Sequence, residues 1–337
     1  MKKQSFISLT IIAGIILLLF ACKPDQKQGS SKGTLPGVSG KPGEILVVMD
    51  TAKFNKAPGE AIKEKLQKAM RALPQAEPIF SLVNIPPYSF KDVFQRYRNV
   101  LIINIEKKYS KPRFAVRKDV HAHPQTVLHA QASSYKELEN LFKVQGGQAA
   151  EKFLEAERTR YINTYKAISN KGAIKRISEK FGIKMTIPKG YSLEVDTTNF
   201  AWLEQDTRDY TQGILIYKHK YKEDRSFSLN NLMKTRDRFT RKFVPGPSPN
   251  SFMIIETEIT PYLDKKKING NEVMIMRGLW KVKNDFMGGP FVNASVLSND
   301  KKHVITVDGF VYAPKLSKRD YVRQLESIIH TLELNKK

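Results

Sequence analysis

The stretch Lys265–Lys283 reads KKKINGNEVMIMRGLWKVK and holds the clearest local signal in the chain. Asn269 and Gly270 both accept positive φ, the backbone conformation that a tight β-hairpin turn requires. The apolar residues from Glu272 to Val282 predict a strand after this turn, and Phe252 to Thr260 predict a partner strand before it. We therefore expect an antiparallel sheet in the second half of the chain.

The segments on both sides of this hairpin indicate more strands and two helices. Short apolar segments predict strands at residues 191–195, 200–204, 213–219, 291–297 and 303–312. One helix is expected from Ser228 to the break at Pro245-Gly246-Pro247. A closing helix, with Ser317 and Asp320 as a capping box, leaves Arg323 exposed. Its apolar face should pack on one side of the sheet and contains Tyr321, Leu325, Ile328, Ile329 and Leu332.

The first half of the chain alternates strands with helices instead. Continuous apolar runs at 44–50 and 100–105 predict buried strands, and residues 114–131 predict one or two more. Capping boxes predict helices after Ser89 and after Ser134, and Gly146-Gly147 should interrupt the second helix. A further helix should end at Phe181-Gly182, because glycine accepts the left-handed conformation that ends helices.

This change of pattern predicts an α+β protein of two domains. Residues 42–182 form an N-terminal mixed α/β domain, and residues 183–337 form a C-terminal α+β domain that is mainly an antiparallel sheet with packed helices. Both lengths fit the usual size of a domain.

The start of the chain has the pattern of a lipoprotein signal. Met1-Lys2-Lys3 precedes an apolar run that ends at Ala21, and Cys22, the only cysteine, follows at once. The run is shorter than the roughly 20 residues of a spanning helix. We expect residues 1–21 to be a signal peptide and Cys22 to carry lipid, which leaves no thiol for a disulfide, a nucleophile or a metal site. The alternative is an ordinary thiol in an uncleaved helix.

Residues 22–41 combine the lipidated cysteine with a predicted flexible tether. The segment is rich in glycine, serine and proline and has almost no large apolar side chain. We therefore expect a protein anchored by lipid in the cell envelope, in the outer membrane and facing the periplasm or the cell surface. The membrane lipid at Cys22 is its first expected partner.

The charge of the chain is strongly basic. Lys and Arg number 57 against 33 Asp and Glu, a net charge of +24. Such a balance indicates nucleic acid or an anionic surface as a partner. The positive residues occur as scattered groups, and no zinc, helix-turn-helix or ribonucleoprotein motif is present. We therefore expect an anionic envelope component or an envelope protein as partner, and no nucleic acid.

Two groups of residues are candidate sites. His121 and His123 would share one face of a strand, with Asp119 and His129 as helpers, but the solvated face of a strand explains them equally, and we predict no metal site. Trp280, Phe286, Gly288 and Gly289 are candidate ligand-binding residues, because the glycines let backbone approach a ligand. The alternative is a tight connection between strands.

Four segments of the chain are similar to one family of proteins. They are Ser39–Val48 (SGKPGEILVV), Leu82–Pro87 (LVNIPP), Arg98–Ile103 (RNVLII) and Arg277–Trp280 (RGLW). They resemble the uncharacterised Bacteroidetes lipoproteins of domain of unknown function 4837, over the whole chain after the signal. The resemblance implies an envelope lipoprotein and supplies no catalytic residues. Residues 187–191 (IPKGY), with the strands that follow, are also similar to PsbP or Mog1-like α+β domains.

Two functions remain open on the sequence. The first is a non-catalytic binding or assembly module of the envelope, without cofactor, because no Walker loop, Gly-x-Gly-x-x-Gly, Gly-x-Ser-x-Gly or His-Glu-x-x-His motif occurs. The second is a hydrolase-like envelope enzyme whose site combines residues that are distant in sequence. A deep pocket with convergent titratable groups would favour the enzyme.

Overall fold

The computed structural model of the protein describes residues 34–335. The predicted signal peptide 1–21, Cys22 and the predicted tether up to residue 33 lie outside the described residues. Residues 36–335 belong to one unit. Backbone hydrogen bonds already hold its first residues, since His123 N–H donates to the Pro36 carbonyl (2.9 Å) and Ser39 N–H donates to the Arg96 carbonyl (2.8 Å).

The described chain contains six α-helices and fifteen strands. The helices are α1 (Thr51–Phe54), α2 (Ala57–Leu66), α3 (Tyr135–Ala167), α4 (Lys171–Phe181), α5 (Leu229–Phe243) and α6 (Arg319–Ile329). The strands of the first half are β1 (Glu44–Val48), β2 (Ser81–Ile85), β3 (Asn99–Ile105), β4 (Arg113–Lys118) and β5 (Thr126–Ala132). Those of the second half are β6 (Ile183–Lys184), β7 (Ser192–Asp196), β8 (Phe200–Asp206), β9 (Thr211–Lys220), β10 (Phe252–Ile255), β11 (Tyr262–Ile268), β12 (Asn271–Lys283), β13 (Gly288–Leu297), β14 (His303–Tyr312) and β15 (Glu333–Leu334).

The first half is built on a five-stranded sheet in the order β2-β1-β3-β5-β4. Its strands are parallel except β4, which runs antiparallel to β5. Helices α2 and α3 cover one face, where Val47, Leu101 and Leu128 are buried. Leu46, Val100 and Val127 are buried on the other face. Burial on both faces explains why β1 and β3 have continuous apolar sequences.

Helix α3 is continuous over 33 residues, so the predicted interruption at Gly146-Gly147 is wrong. A side chain at Gly146 would lie 2.5 Å from Lys65 Cγ, so the glycine lets α2 and α3 approach closely. The predicted cap is confirmed, because Ser134 Oγ accepts a hydrogen bond from Glu137 N–H. The helix predicted after Ser89 is also absent from the described structure, which has turns over residues 92–96.

The second half is an eight-stranded sheet with the main order β10-β12-β13-β14-β9-β8-β7 and with β11 paired to β12. Every pair of strands in it is antiparallel, as predicted. The tight turn joins β11 to β12, where Asn269 and Gly270 have φ of 46° and 86°. Tyr262–Ile268, expected to be connection, is therefore the strand that completes this hairpin. The mixed α+β class is confirmed.

Helices cover both faces of this sheet, where one face was expected. The first face packs against α4 and α6 through aliphatic side chains such as Ile275, Val307 and Ile328. The second face packs against α5 and is rich in aromatic residues, including Phe200, Tyr217 and Phe310. Strand alternation gives each face its own set of side chains.

A carboxylate from the first half caps helix α6, in place of the predicted capping box. Glu77 accepts hydrogen bonds from the Lys318 N–H (2.7 Å) and the Arg319 N–H (3.0 Å). Arg323, expected to be exposed, is 5% exposed, lies over the Phe80 ring and donates to the Ile79 carbonyl. The first half of the chain covers this side of α6, so the helix has no solvated face there.

None of the helices within residues 34–335 has the length and apolar composition needed to cross a membrane.

Candidate functional site: a basic cavity

A cavity of about 670 Å³ lies between the end of β9 and the first turns of α5. Strand β9 ends at Lys220, a single turn of 3-10 helix follows at Asp224–Phe227, and Ser228 begins α5 by accepting a hydrogen bond from Asn231 N–H. The lining residues are His219, Lys220, Lys222, Arg225, Ser226, Asn231, Lys234, Thr235 and Arg238.

Helix α5 contributes its basic residues through ordinary helical spacing. Its buried face carries Leu232, Arg236 and Thr240. Lys234 and Arg238 lie four residues apart on the opposite, exposed face and reach the same cavity.

The lining carries five Lys or Arg side chains and no carboxylate. Arg225 is paired with Glu223, with Nε and Oε1 2.5 Å apart. Among the described residues, Lys220, Lys222, Lys234 and Arg238 form no ion pair. Ser226, Asn231 and Thr235 add hydrogen-bond donors. The cavity therefore presents four uncompensated cations to any bound molecule.

His219 closes the inner side of the cavity. Burial, and then the neighbouring Arg238 and His303, lower the pKa of its imidazole to about 4. The ring is therefore neutral at pH 7, and its buried Nδ1 has no hydrogen-bond partner within the described structure. The neighbouring cations disfavour the protonated form of this ring, whereas a bound anion would favour it.

A buried ion pair fixes α5 against the sheet below the cavity. The Arg236 guanidinium binds Asp308, with Nε–Oδ2 2.8 Å and Nη2–Oδ1 3.3 Å, and neither side chain is exposed to solvent. Asn293 donates to the same carboxylate (3.1 Å), and the Phe291 ring lies 4.0 Å from the guanidinium. These contacts hold α5, and with it Lys234 and Arg238, in one position.

The four sequence-predicted ligand residues lie in two different environments. Trp280 is buried in the core, where its indole N–H donates to the Val311 carbonyl (3.3 Å). Gly289 packs between Trp280 and Val311, since a side chain there would lie 2.0 Å from the Val311 carbonyl oxygen. Gly288 is the neighbouring residue of β13. Phe286 is fully exposed at the hairpin tip. The structure gives the glycines a packing role, and their ligand role stays a prediction.

The histidines considered for a metal site are also separate. Residues 119–124 form an irregular connection between β4 and β5, where a strand was expected. His123 Nδ1 lies 3.1 Å from Asp119 Oδ2, whereas His129 pairs with Asn104 and His121 packs edge-on against Phe90. Within residues 34–335, no three His, Cys, Asp or Glu side chains are grouped so that they could hold a metal ion.

Sequence reasoning missed the basic cavity, although one signal for it was present. In the segment 229–243, four of the five exposed positions (234, 238, 241 and 242) are Lys or Arg, and the fifth is Asn230. This helical spacing predicts a basic face without any acid. The other half of the cavity comes from residues 219–226, whose loop conformation has no comparable pattern.

Comparison with known proteins finds similar solved structures and two family models. No curated protein matches the chain. The Ran-binding protein Mog1p of Saccharomyces cerevisiae is 10% identical over 45% of this chain and 90% of its own, with a TM-score of 0.31. Human STARD10 is 8% identical over 48% of this chain and 80% of its own, with a TM-score of 0.24. The lipid transfer and protein localization domain of human StarD13 is 11% identical over 47% of this chain and 95% of its own, with a TM-score of 0.22.

Two family models match the chain in succession. Residues 38–166 match domain of unknown function 8532, and residues 170–331 match domain of unknown function 4837. The predicted relation to the second family is thus confirmed, but it covers the second half of the chain and not the whole of it. Residues 170–331 are therefore similar to domain of unknown function 4837, and the preceding residues 38–166 are similar to domain of unknown function 8532.

Proposed function

We propose that the protein is a non-catalytic binding module of the cell envelope, anchored by lipid at Cys22, which takes an anionic ligand in the basic cavity between β9 and α5. The observation that carries the proposal is the lining of that cavity, with five Lys or Arg side chains and no carboxylate. Charge-assisted hydrogen bonds to phosphate or carboxylate oxygens are the strongest that such side chains form.

The same lining argues against the hydrolase-like alternative. A hydrolase needs a group that transfers protons near neutral pH, usually a carboxylate or an imidazole. The cavity offers no carboxylate, and His219, with its pKa at about 4, is a weak base. Recognition of an anion needs only fixed positive charge and donors, which are present.

Inorganic pyrophosphate is a suitable probe, and calorimetric titration measures its binding. The protein for this test is the chain from residue 22 with Cys22→Ser, so that no lipid is attached. We expect saturable binding that weakens as salt rises, because salt screens exposed charges. Lys234→Ala combined with Arg238→Ala should raise Kd at least tenfold, since both side chains line the cavity.

The control is Lys175→Ala combined with Lys184→Ala, which removes the same net charge from exposed positions outside the cavity. Its Kd should stay within about twofold of the parent, because distant surface charges act weakly at moderate salt. Equal losses in the two double variants would mean that only net charge matters and would overturn the cavity assignment. Failure of the parent to bind pyrophosphate would do the same.

A further inference from the structure

The hairpin between β12 and β13 carries the most exposed large apolar side chain among the described residues. This side chain is Phe286, whose ring is fully exposed. The tip that presents it is ordered, because the Asp285 carboxylate accepts hydrogen bonds from Ser248 Oγ (2.6 Å) and from Phe286 N–H (2.7 Å). The organised turn therefore holds this aromatic ring in water, where it is accessible to a partner surface.

Basic side chains surround this ring. Arg241, Lys281 and Lys283 line a depression of about 620 Å³ that also contains Phe286 and one carboxylate, Asp285. The cationic groups of Arg241 and Lys283 both lie over the Phe252 ring, 5.0 and 5.9 Å from its centre. Lys281 is paired with Glu256 (3.0 Å), whereas Lys283 forms no ion pair within residues 34–335.

Helix α5 joins this depression to the basic cavity. Its exposed basic residues are Lys234, Arg238, Arg241 and Lys242. The first three are spaced by four and three residues and Lys242 follows directly, which places all four along one side of the helix. The first two line the cavity and Arg241 lines the depression. The result is a continuous basic strip, which we call the α5 strip, with an exposed phenylalanine at one end.

We propose that the α5 strip and Phe286 dock on an anionic lipid bilayer, with the ring in the interfacial region and the basic side chains on the headgroups. Aromatic rings favour the membrane interface, and each Lys or Arg near an anionic surface adds attraction. The tether expected between Cys22 and Pro36 spans at most about 50 Å when fully extended. A lipid at Cys22 would therefore keep the folded unit close to such a surface. This proposal does not depend on the ligand of the cavity.

Vesicle co-sedimentation tests the proposal on the chain from residue 22 with Cys22→Ser. We expect at least tenfold tighter partitioning onto phosphatidylcholine vesicles that contain about 30% phosphatidylglycerol than onto pure phosphatidylcholine, because each Lys or Arg near an anionic surface adds attraction. Phe286→Ser should weaken binding to the anionic vesicles at least fivefold, and Lys283→Glu should weaken it at least as much. The matched controls are Tyr88→Ser, an aromatic side chain that is 84% exposed in the first half, and Lys175→Glu.

Three outcomes overturn the docking proposal: equal binding to both kinds of vesicle, no binding to either, or equal effects of Phe286→Ser and Tyr88→Ser. Pyrophosphate titration of the same variants separates this proposal from the preceding one. Phe286→Ser should leave pyrophosphate binding unchanged, because the ring is not part of the cavity lining. Loss of vesicle binding with retained pyrophosphate binding supports docking through the hairpin.

Discussion

The two faces of the C-terminal sheet are built from different kinds of side chain. The face under α6 is aliphatic, with Val307, Leu325 and Ile328 in one cluster. The face under α5 combines aromatic rings with a fully buried ion pair, Arg236–Asp308. Close apolar packing positions a helix through many small contacts, whereas a buried ion pair adds one directional contact whose loss is strongly destabilising. We infer that the α5 face is adapted to hold its helix, and thus the α5 strip, in a fixed place.

The largest effect should come from breaking that ion pair. Asp308→Ala leaves Arg236 buried without its counter-charge, and we expect a loss of about 3–5 kcal/mol in the free energy of unfolding. Urea denaturation of the unlipidated chain measures it. Asp264→Ala removes an exposed carboxylate from the same sheet, and should change stability by about 0.5 kcal/mol or less.

The double variant Arg236→Met with Asp308→Leu sharpens the interpretation. Replacing both charges by apolar groups of similar size is often neutral for stability. We expect the double variant to recover most of the free energy of unfolding that Asp308→Ala loses. Its pyrophosphate binding should nevertheless fall, because the ion pair no longer holds α5 in place. Full retention of binding would show that the ion pair does not position the cavity.

The aliphatic face should respond through cavity formation alone. Ile328 is 1% exposed, and Ile328→Ala should cost about 2–5 kcal/mol. Arg323→Ala, on the same helix, should cost about 1–3 kcal/mol, because it removes a buried hydrogen bond to Ile79 and the packing on Phe80. Urea midpoints check both, and an unchanged midpoint for Ile328→Ala would contradict its place in the core.

Features fixed by neighbouring residues were predictable from the sequence. The turn at Asn269-Gly270, the cap at Ser228 and the left-handed end of α4 at Gly182 all match the expectation. Each depends on the chemistry of three or four consecutive residues. The apolar face of α6, including Ile328, was predictable for the same reason, because helical spacing is a local property.

Features made by distant residues were not predictable. Glu77 caps a helix that lies more than 200 residues later, and Arg236 pairs with a carboxylate 72 residues away. No local pattern encodes either contact, because tertiary structure brings the partners together. The candidate site shows the same division: the basic face of α5 was readable from spacing, whereas its neighbours His219 and Arg225 were not.

The smallest effect concerns a third charge on the α5 face, Glu204. Alternation along β8 places it on the same side as Phe200 and Trp202. Burial, and then the nearby Asp206 and Glu194, raise the pKa of its carboxyl to about 7, above the value of 4.5 that it has in an unfolded chain. The folded state therefore binds the proton more tightly, and this contribution to stability is fully present below pH 4.5 and is lost as pH rises through 7.

Glu204→Gln removes this titration and keeps the shape of the side chain. We expect the variant to have a higher urea midpoint than the parent at pH 8, where the parent must hold an ionised carboxylate in a half-buried position, and an equal or lower midpoint at pH 4.5. Glu258→Gln, an exposed position, serves as the control and should show no such dependence on pH. If Glu204→Gln has the same midpoint as the parent at pH 8, the α5 face tolerates that charge without cost. The contrast between the two faces would then rest on the Arg236–Asp308 pair alone.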